Sequence, residues 1–333
     1  AETDAVAKAI PFDLGMTLEK ALKLSPMLKS MYEEDENVRK LIDTAMTLEG
    51  MPRHASTHAA GVVITKRPVY EYVPLARNDE SIVCQYTMVT LEELGLLKMD
   101  FLGLRNLTVL DDAVRLVRRS RPDFDIEKVP EDDAKVFEML QAGRTSGVFQ
   151  LESSGITGVC TGLKPKSIED ITAIIALYRP GPMESIPRYI RGKEDPSTVK
   201  YVTPELKPIL DVTYGCMVYQ EQVMQIVRDL GGYTMGRSDL VRRAMSKKKT
   251  YVMEQERANF VHGNEAEGVP GCEANGISAE VADQIYGTMM DFAKYAFNKS
   301  HAAAYSLVTY QTAYLKCYYE PEFLTAVLNN RIT

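Results

Sequence analysis

Residues 96–104 place the strongest constraint on how this chain folds, because polar and apolar residues alternate there. Successive side chains of a strand point to opposite faces. The face directed at a core would carry Leu97, Met99 and Phe101. Lys98 and Asp100 would share the other face, where a cation and a carboxylate can handle a metal ion or a phosphate. On the local pattern alone, the preferred interpretation of Asp100 is a strand-end aspartate that caps a turn.

The composition is that of a globular protein with more than one domain. Of the 333 residues, 45% are hydrophobic and 26% are charged, and a chain of this length is expected to form two or three domains. The sequence has no apolar run of the roughly 18 residues that a membrane helix needs. We therefore expect a soluble protein without a membrane partner.

Charge and cysteine content restrict the class of protein further. The net charge of −7 argues against a uniformly basic surface for nucleic acid but allows local basic patches. Five scattered cysteines without a Cys-x-x-Cys pair indicate free thiols in a reducing cytoplasm. Because the sequence starts at Ala1 without a recognisable domain start, we expect a fragment of a longer protein.

The hydrophobic pattern changes twice along the chain. Helical spacing predicts helices over residues 1–50 and again from Asn106 onward. Between them, three β-rich runs are predicted to form one small sheet: 61–65, 81–86 and 96–101. The glycine-rich stretch 261–278 is predicted to be an exposed loop.

Two residue pairs resemble metal-binding pairs, but we interpret them otherwise. His54 and His58 are four residues apart before the first strand, and no third ligand follows at a suitable spacing. Polar or phosphate-facing roles are therefore preferred for both. Asp123 and Asp125 follow Pro122 in a charged, turn-like stretch, so we assign this Asp-x-Asp pair no metal.

The densest basic patch covers residues 237–249, with six basic residues and one acidic residue. Ser238 is a plausible N-cap, and Arg243 and Lys247 are neighbours one turn apart on a helix, with Arg242 on the adjacent stripe. The other side of the helix would be filled by Leu240, Val241 and Ala244. This pattern favours a bound polyanion such as a triphosphate or a DNA backbone, and a solvated basic face is the alternative.

A second candidate binding stretch covers residues 295–305, where Ser300 is predicted to cap a long helix. A helix N-terminus presents free N–H groups to anions, and Lys299 and His301 flank this one. His301 and Tyr305 share a face that suits a phosphate and a base or sugar. A purely structural His–Tyr pair is the alternative.

Two further stretches give weaker indications. Arg179 leaves a helix directly before Pro180, and such a rigid exit suits a phosphate as well as an ordinary helix stop. Gln220 and Gln222 beside Glu221 are expected to be exposed where another helix begins.

Five stretches, taken together and in order, resemble the C-family of bacterial replicative DNA polymerases, the alpha subunits of DNA polymerase III. They are residues 98–104, 178–182, 219–224, 242–249 and 297–305. Residues 53–64 together with residues 298–301 resemble the DnaE type more than the PolC type. The resemblance spans nearly the whole chain.

The resemblance implies a mainly α fold with a small α+β part. A helical thumb remnant and fingers would surround a partial palm of the polymerase β-like nucleotidyltransferase kind. Residues 1–55 would end the thumb, 56–105 would end the palm, and 106–333 would form the fingers. Asp100 matches the third catalytic aspartate of the family, whose two partners belong to an earlier Asp-x-Asp motif that this sequence does not contain.

By the same resemblance, the longer protein would add dNTPs to a primer 3′-hydroxyl by phosphoryl transfer with two Mg²⁺ ions. Asp100 would bind metal, and Lys98 would neutralise a phosphate or the aspartates. The nucleotide would be contacted by Arg242, Arg243, Lys247, Asn298, Lys299, Ser300 and His301, with Tyr305 and Arg179 packing against nucleotide and template. The expected partners are primer–template DNA, the sliding clamp and other replisome subunits, in the bacterial cytoplasm.

Three hypotheses remain open at this point. The first is a polymerase fragment that is inactive in isolation, because two of its three catalytic aspartates are missing. The second is a non-catalytic module that binds DNA and nucleotides. The third is another nucleotidyltransferase, such as an RNA-synthesising enzyme.

Overall fold

The computed structural model describes residues 2–12, 15–51, 56–78, 80–179, 181–246, 250–293 and 295–332. The chain divides into two compact units, which we call the small unit (Ala1–Gly103) and the helical unit (Leu104–Thr333). Helices make up most of the described structure, and the strands form short antiparallel pairs. The predicted mainly α fold with a small α+β part is therefore confirmed. Within these ranges, no helix is long and apolar enough to span a bilayer.

The described part of the small unit starts with four helices that pack on one another. Its α-helices are α1 (Glu2–Ala9), α2 (Leu18–Leu24), α3 (Pro26–Glu34), α4 (Glu36–Leu48) and α5 (Met88–Glu93). Side-chain caps start three of them, because Thr17, Ser25 and Asp35 accept hydrogen bonds from first-turn amides of α2, α3 and α4. The small core between α1 and α4 is formed by Val6, Ala21, Leu28 and Ile42.

The strands of the small unit form two separate antiparallel pairs. They are β1 (Gly61–Ile64), β2 (Leu75–Asn78), β3 (Ser81–Cys84) and β4 (Leu97–Asp100). β1 pairs with β4, and β2 pairs with β3. The prediction of one sheet is therefore wrong. β3 pairs with its immediate neighbour because closing a short hairpin costs less chain entropy than joining a distant strand.

The apolar face of β4 is exposed rather than buried. Leu97, Met99 and Phe101 are 57%, 43% and 62% exposed, whereas the Lys98 side chain on the other face is only 12% exposed. Met99 lies directly opposite Val62 of β1, and both side chains are exposed on the same face. Apolar and polar residues of β4 therefore do point to opposite faces, as predicted. The predicted burial is wrong because the described small unit provides no second layer over this face.

The helical unit is built from twelve described α-helices and short 3-10 turns. The helices are α6 (Arg105–Val117), α7 (Ala134–Gln141), α8 (Ser154–Leu163), α9 (Ile168–Leu177), α10 (Ile186–Glu194), α11 (Lys207–Leu210), α12 (Gln220–Gly231), α13 (Met235–Ser246), α14 (Thr250–His262), α15 (Ala279–Ala293), α16 (Lys299–Tyr318) and α17 (Glu320–Ile332).

Helix α16 runs through the first core of this unit and packs against α9. Thr172 of α9 donates a hydrogen bond through Oγ1 to Ser306 Oγ at 2.9 Å, and both side chains are buried. Tyr310 Oη donates to Pro130 O at 2.6 Å. Because buried polar groups tolerate few alternative arrangements, these bonds fix the position of α16.

Helices α12 to α15 surround a second core. Its largest side chains include Tyr286, Phe260 and Ile226. The stretch 261–278 adds to this core, and Cys272 is fully buried. Most residues of this stretch are exposed and lie outside the α-helices, so the prediction of an exposed loop is confirmed for most of it. Its few buried residues reach the core because the glycines allow close backbone packing: a Cβ atom at Gly271 would overlap the backbone of Gly263.

Candidate functional site

Asp100 and Lys98 lie on the same face at the end of β4, as strand alternation predicts. Lys98 Nζ donates a hydrogen bond to the Asp100 carboxylate. Gly61 lies opposite Asp100 in β1, and a Cβ atom there would lie 2.7 Å from Lys98 Cε and 2.9 Å from His58 Nδ1. A residue without a side chain at position 61 therefore lets these groups converge.

The Asp100 carboxyl group is ionised at neutral pH. The hydrogen bond from Lys98, together with the positive charge of Lys98, lowers the pKa of Asp100 below its ordinary value. His58 Nδ1 accepts hydrogen bonds from Ala60 N at 3.1 Å and from Gly61 N at 2.7 Å. The His58 proton is therefore assigned to Nε2, and Nδ1, 3.8 Å from Asp100 Oδ1, donates nothing to the carboxylate. His54 lies outside the described residues.

The described residues do not by themselves fit a bound Mg²⁺ ion. Among them, no three His, Cys, Asp or Glu side chains converge to hold a metal. Asp100 supplies one carboxylate, and an ammonium group already binds it. Asp125 caps a 3-10 turn and pairs with Lys128 at 2.9 Å, which agrees with a structural role.

In the helical unit, the N-cap of α16 is Asn298. Its Oδ1 accepts a hydrogen bond from His301 N at 2.8 Å. The prediction that Ser300 caps this helix is wrong, because Asn298 has the extended backbone that a cap requires and Ser300 is already helical. Ser300 is exposed in the first turn.

The Glu221 carboxylate occupies the N-terminal end of α16. Lys299 N donates to both of its oxygens, at 3.1 and 3.0 Å, and Asn298 Nδ2 donates to Oε1 at 3.0 Å. The helix dipole favours a carboxylate at this position. Part of the anion-binding capacity expected here is therefore used by the chain itself, and a phosphate that reaches Lys299 N has to displace Glu221.

Two predicted phosphate ligands on α13 share one carboxylate. Arg242 and Arg243 each lie 2.7 Å from an oxygen of Asp239. The hydrogen bond from Arg242 lowers the pKa of Asp239 below its ordinary value. Ser238 is not the N-cap, because it lies inside α13, where its buried hydroxyl donates to Thr234 O at 3.0 Å.

The predicted apolar side of α13 is only partly buried. Val241 and Ala244 are 2% and 8% exposed, but Leu240 is 65% exposed. Leu240 is one turn from Arg243, so it shares the solvent-facing side of the helix. Lys247, the remaining predicted phosphate ligand of this patch, lies outside the described residues.

Gln220 connects the basic helix to the segment that precedes α16. Its Oε1 accepts a hydrogen bond from Arg242 Nη1 at 3.1 Å, and its Nε2 donates to Ala296 O at 2.9 Å. Gln222 is buried, which contradicts the expected exposure. Its Oε1 accepts bonds from two backbone amides just before α12, and a buried loop needs such a partner.

His301, Tyr305 and Arg179 line one cavity of about 360 Å³. The His301 and Tyr305 ring centroids are 4.1 Å apart, and Arg179 Cζ lies 4.5 Å from the Phe297 ring centroid. The cavity is completed by Gln150, Ser153, Ile156, Ile175 and Tyr178. Its size is typical of small-molecule sites, and aromatic faces beside a cation suit a base or a sugar.

A larger cavity of about 460 Å³ lies between α14 and α15 and contains none of the predicted site residues. Arg257 and Asp283 in its wall bind each other through two contacts of 2.6 Å. Glu254 and Glu280 also line it, and this acidic lining disfavours a triphosphate.

Sequence patterns missed the residues whose roles depend on tertiary contacts. Glu221 and Gln150 have no local feature that assigns them to a site. Phe297 could have been found, because it precedes His301 by four residues and therefore extends the face that His301 shares with Tyr305.

The chain matches two family models that together cover most of its length. Residues 106–268 match the bacterial DNA polymerase III alpha subunit finger domain. Residues 1–103 match the bacterial DNA polymerase III alpha NTPase domain. The boundary between the two matches lies close to the boundary between the two compact units.

Curated relatives with similar sequences carry the name DNA polymerase III subunit alpha. The chain is 50% identical to the protein of Thermus aquaticus over 337 residues, 45% identical to that of Borreliella burgdorferi over 334 residues, and 43% identical to that of Staphylococcus aureus over 328 residues. These alignments include 98%, 100% and 98% of this chain. The chain spans only 27%, 28% and 30% of the length of those relatives.

Proposed function

Because the chain belongs to the family of bacterial DNA polymerase III alpha subunits, we propose that it is part of a DNA-directed DNA polymerase that adds dNTPs to a primer 3′-hydroxyl. The observation that carries this proposal is the shared surface of α12, α13 and α16. There, Gln220 accepts a hydrogen bond from Arg242 of the basic helix α13 and donates one to Ala296 O, just before α16. Ala296 directly precedes Phe297, which lines the aromatic cavity.

The helical unit would hold the incoming nucleotide. The triphosphate would lie against Arg242, Arg243, Lys247, Asn298, Lys299, Ser300 and His301. Tyr305 and Arg179 would pack against the nucleotide and the template in the cavity. Domain limits follow the family resemblance, with thumb at 1–55, palm at 56–105 and fingers at 106–333.

The proposed chemistry depends mainly on positioning and on offsetting negative charge, as in other phosphoryl transfers. Arg242 and Arg243 would take this role by exchanging their contacts with the Asp239 carboxylate for contacts with phosphate oxygens. Charge-assisted hydrogen bonds to phosphate are as favourable as those to a carboxylate. The same exchange would release Lys299 N and Asn298 from Glu221. Each carboxylate thus keeps a binding group oriented until a phosphate takes its place.

The small unit would contribute Asp100 and Lys98. Mg²⁺, when bound, would supply positive charge at the transferring phosphate, and Asp100 is the ligand that this chain offers, with further aspartates expected from the longer protein. Lys98 would neutralise a phosphate or the carboxylates. Primer–template DNA, the sliding clamp and other replisome subunits are the proposed partners, in the bacterial cytoplasm.

A primer-extension assay with the 333-residue chain tests this proposal. We expect no extension, because Asp100 alone does not make a metal site, and weak DNA binding that decreases as salt is raised. Substituting Arg257→Gln, in the acidic cavity, should leave DNA binding unchanged, whereas Arg243→Gln should weaken it. Extension at a normal rate, or DNA binding that is insensitive to both salt and Arg243, would contradict the proposal.

The second candidate function is a non-catalytic module for DNA and nucleotides, favoured by the lack of a complete metal-ligand group in the described residues. The Asp100→Asn substitution in the longer protein separates the two candidates. Loss of rate with little loss of DNA binding supports the polymerase. An unchanged rate would remove Asp100 from the metal site and favour the module.

A further inference from the structure

We propose that Gln150 is a positioning residue that hydrogen-bonds the base of the nucleotide in the aromatic cavity. This inference rests on the proposed function and adds a contact to the base, which the predicted phosphate ligands do not provide. Gln150 lines the cavity together with Arg179, His301 and Tyr305.

The backbone of Gln150 has an unusual conformation. Its φ of 64° lies in the left-handed region, which is unfavourable for residues other than glycine, asparagine and aspartate. Such strain persists only where the surrounding structure enforces it, and it is frequent at ligand sites. Position 150 is therefore shaped by its surroundings and not by its own preference.

Both neighbours of Gln150 are anchored in the core. Phe149 and Leu151 are 6% and 0% exposed. Phe149 N donates to Thr312 Oγ1 of α16 at 3.1 Å, and the Phe149 ring lies 5.2 Å from the Tyr305 ring. Between these anchors, the side chain of Gln150 has to leave the core on the side of the cavity.

Gln150 is an exposed residue that lines the cavity, and its amide has no hydrogen-bond partner among the described residues. The cavity around it is also lined by the rings of His301 and Tyr305 and by the apolar side chains of Ile156 and Ile175. Rings of this kind can hold a flat base, but they do not fix its rotation. The Gln150 amide beside them can supply such a directional contact, since no other described residue engages it.

An amide donor can serve every base. Purine N3 and pyrimidine O2 are acceptors at the same edge of all four base pairs. Because Gln150 Nε2 carries two protons, one hydrogen bond to this edge would position adenine, guanine, cytosine and thymine alike. Gln150 would therefore affect nucleotide affinity without selecting among bases.

The test compares two kinds of ligand, with and without a base, on the unsubstituted chain and its variants. Binding of each dNTP and of a base-free 2-deoxyribose triphosphate is measured by ligand-observed NMR, in Mg²⁺, for the unsubstituted chain, Gln150→Ala and Gln150→Glu. We expect Gln150→Ala to weaken all four dNTPs by about threefold to tenfold, the value of one hydrogen bond, and to leave the base-free ligand unaffected. Gln150→Glu keeps the size but loses the donor, and should be at least as weak.

Gln150→Gly separates the side chain from the backbone, since glycine accepts the left-handed conformation without strain. We expect it to bind dNTPs as weakly as Gln150→Ala. Full dNTP affinity in Gln150→Gly, or equal losses for dNTPs and the base-free ligand, would overturn the role of the amide.

Arg242→Gln should weaken the binding of both kinds of ligand. If Arg242→Gln weakens the binding of both kinds of ligand and Gln150→Ala weakens neither, the role of Gln150 fails and the proposed function stands. If the unsubstituted chain binds no dNTP, both proposals fail.

Discussion

The two units differ in how well the elements that carry their proposed site residues are packed. In the helical unit, α9 is buried from Asp170 to its end at Leu177, and α16, beside it, carries His301 and Tyr305 at the cavity. In the small unit, Asp100 ends a two-stranded ribbon whose apolar face is exposed. The residues proposed to face the nucleotide are thus positioned by a core, whereas the proposed metal ligand is held by Lys98 and a short β-ladder. Packing, and not the type of residue, therefore decides how firmly each unit holds its proposed site residues.

The largest expected effect comes from matched truncations in the two units. Phe323→Ala removes a fully buried ring of α17, while Phe101→Ala removes a ring that is 62% exposed. We expect the first to lower the free energy of unfolding by about 3–5 kcal/mol and the second to change it by no more than about 0.5 kcal/mol. Urea denaturation followed by circular dichroism measures both, and similar losses would contradict the difference between the units.

A smaller effect is expected on the acid side of the stability profile. Asp239 and Asp100 both have a pKa below the ordinary value of 3.8 because of hydrogen bonds from Arg242 and Lys98. Each therefore stabilises the fold above the ordinary pKa, and this contribution is lost as the pH falls through the lower pKa of the folded state. The side chain of Asp239 is 27% exposed and that of Asp100 is 45% exposed, so solvent screens the second more.

We accordingly expect Asp239→Asn to flatten the pH dependence of stability more than Asp100→Asn does. The readout is the urea midpoint of each variant near neutral pH and below about pH 4. An equal or larger change in Asp100→Asn would show that the small unit holds its carboxylate as firmly as the helical unit does.

The sequence predicted the parts of the molecule that local patterns determine. Strand alternation placed Lys98 and Asp100 on one face, and helical spacing placed His301 and Tyr305 on another. The fold class and the family also followed from the sequence, because five stretches resemble the motifs of the family and occur in the same order.

The sequence did not predict features that depend on distant partners. Glu221 meets Lys299 N only because α12 starts beside α16, and Gln222 is buried only because the loop before α12 needs an acceptor. The exposure of Leu97 and Phe101 was missed for the converse reason, since alternation identifies an apolar face but not the layer that covers it. The cap of α16 was predicted at Ser300 instead of Asn298 because both residue types favour helix starts.

The most direct test of the account is a dNTP titration of the chain in Mg²⁺, comparing Arg242→Gln, Asp100→Asn and Arg257→Gln. The central claim is that the helical unit binds the nucleotide. Arg257 is the matched control, because it loses a comparable ion pair with Asp283 away from the cavity of His301. Loss of a charge-assisted contact in Arg242→Gln should weaken dNTP binding about tenfold or more, and the other two variants should bind like the unsubstituted chain. Unchanged affinity in Arg242→Gln, or loss of binding in Asp100→Asn, would contradict the account.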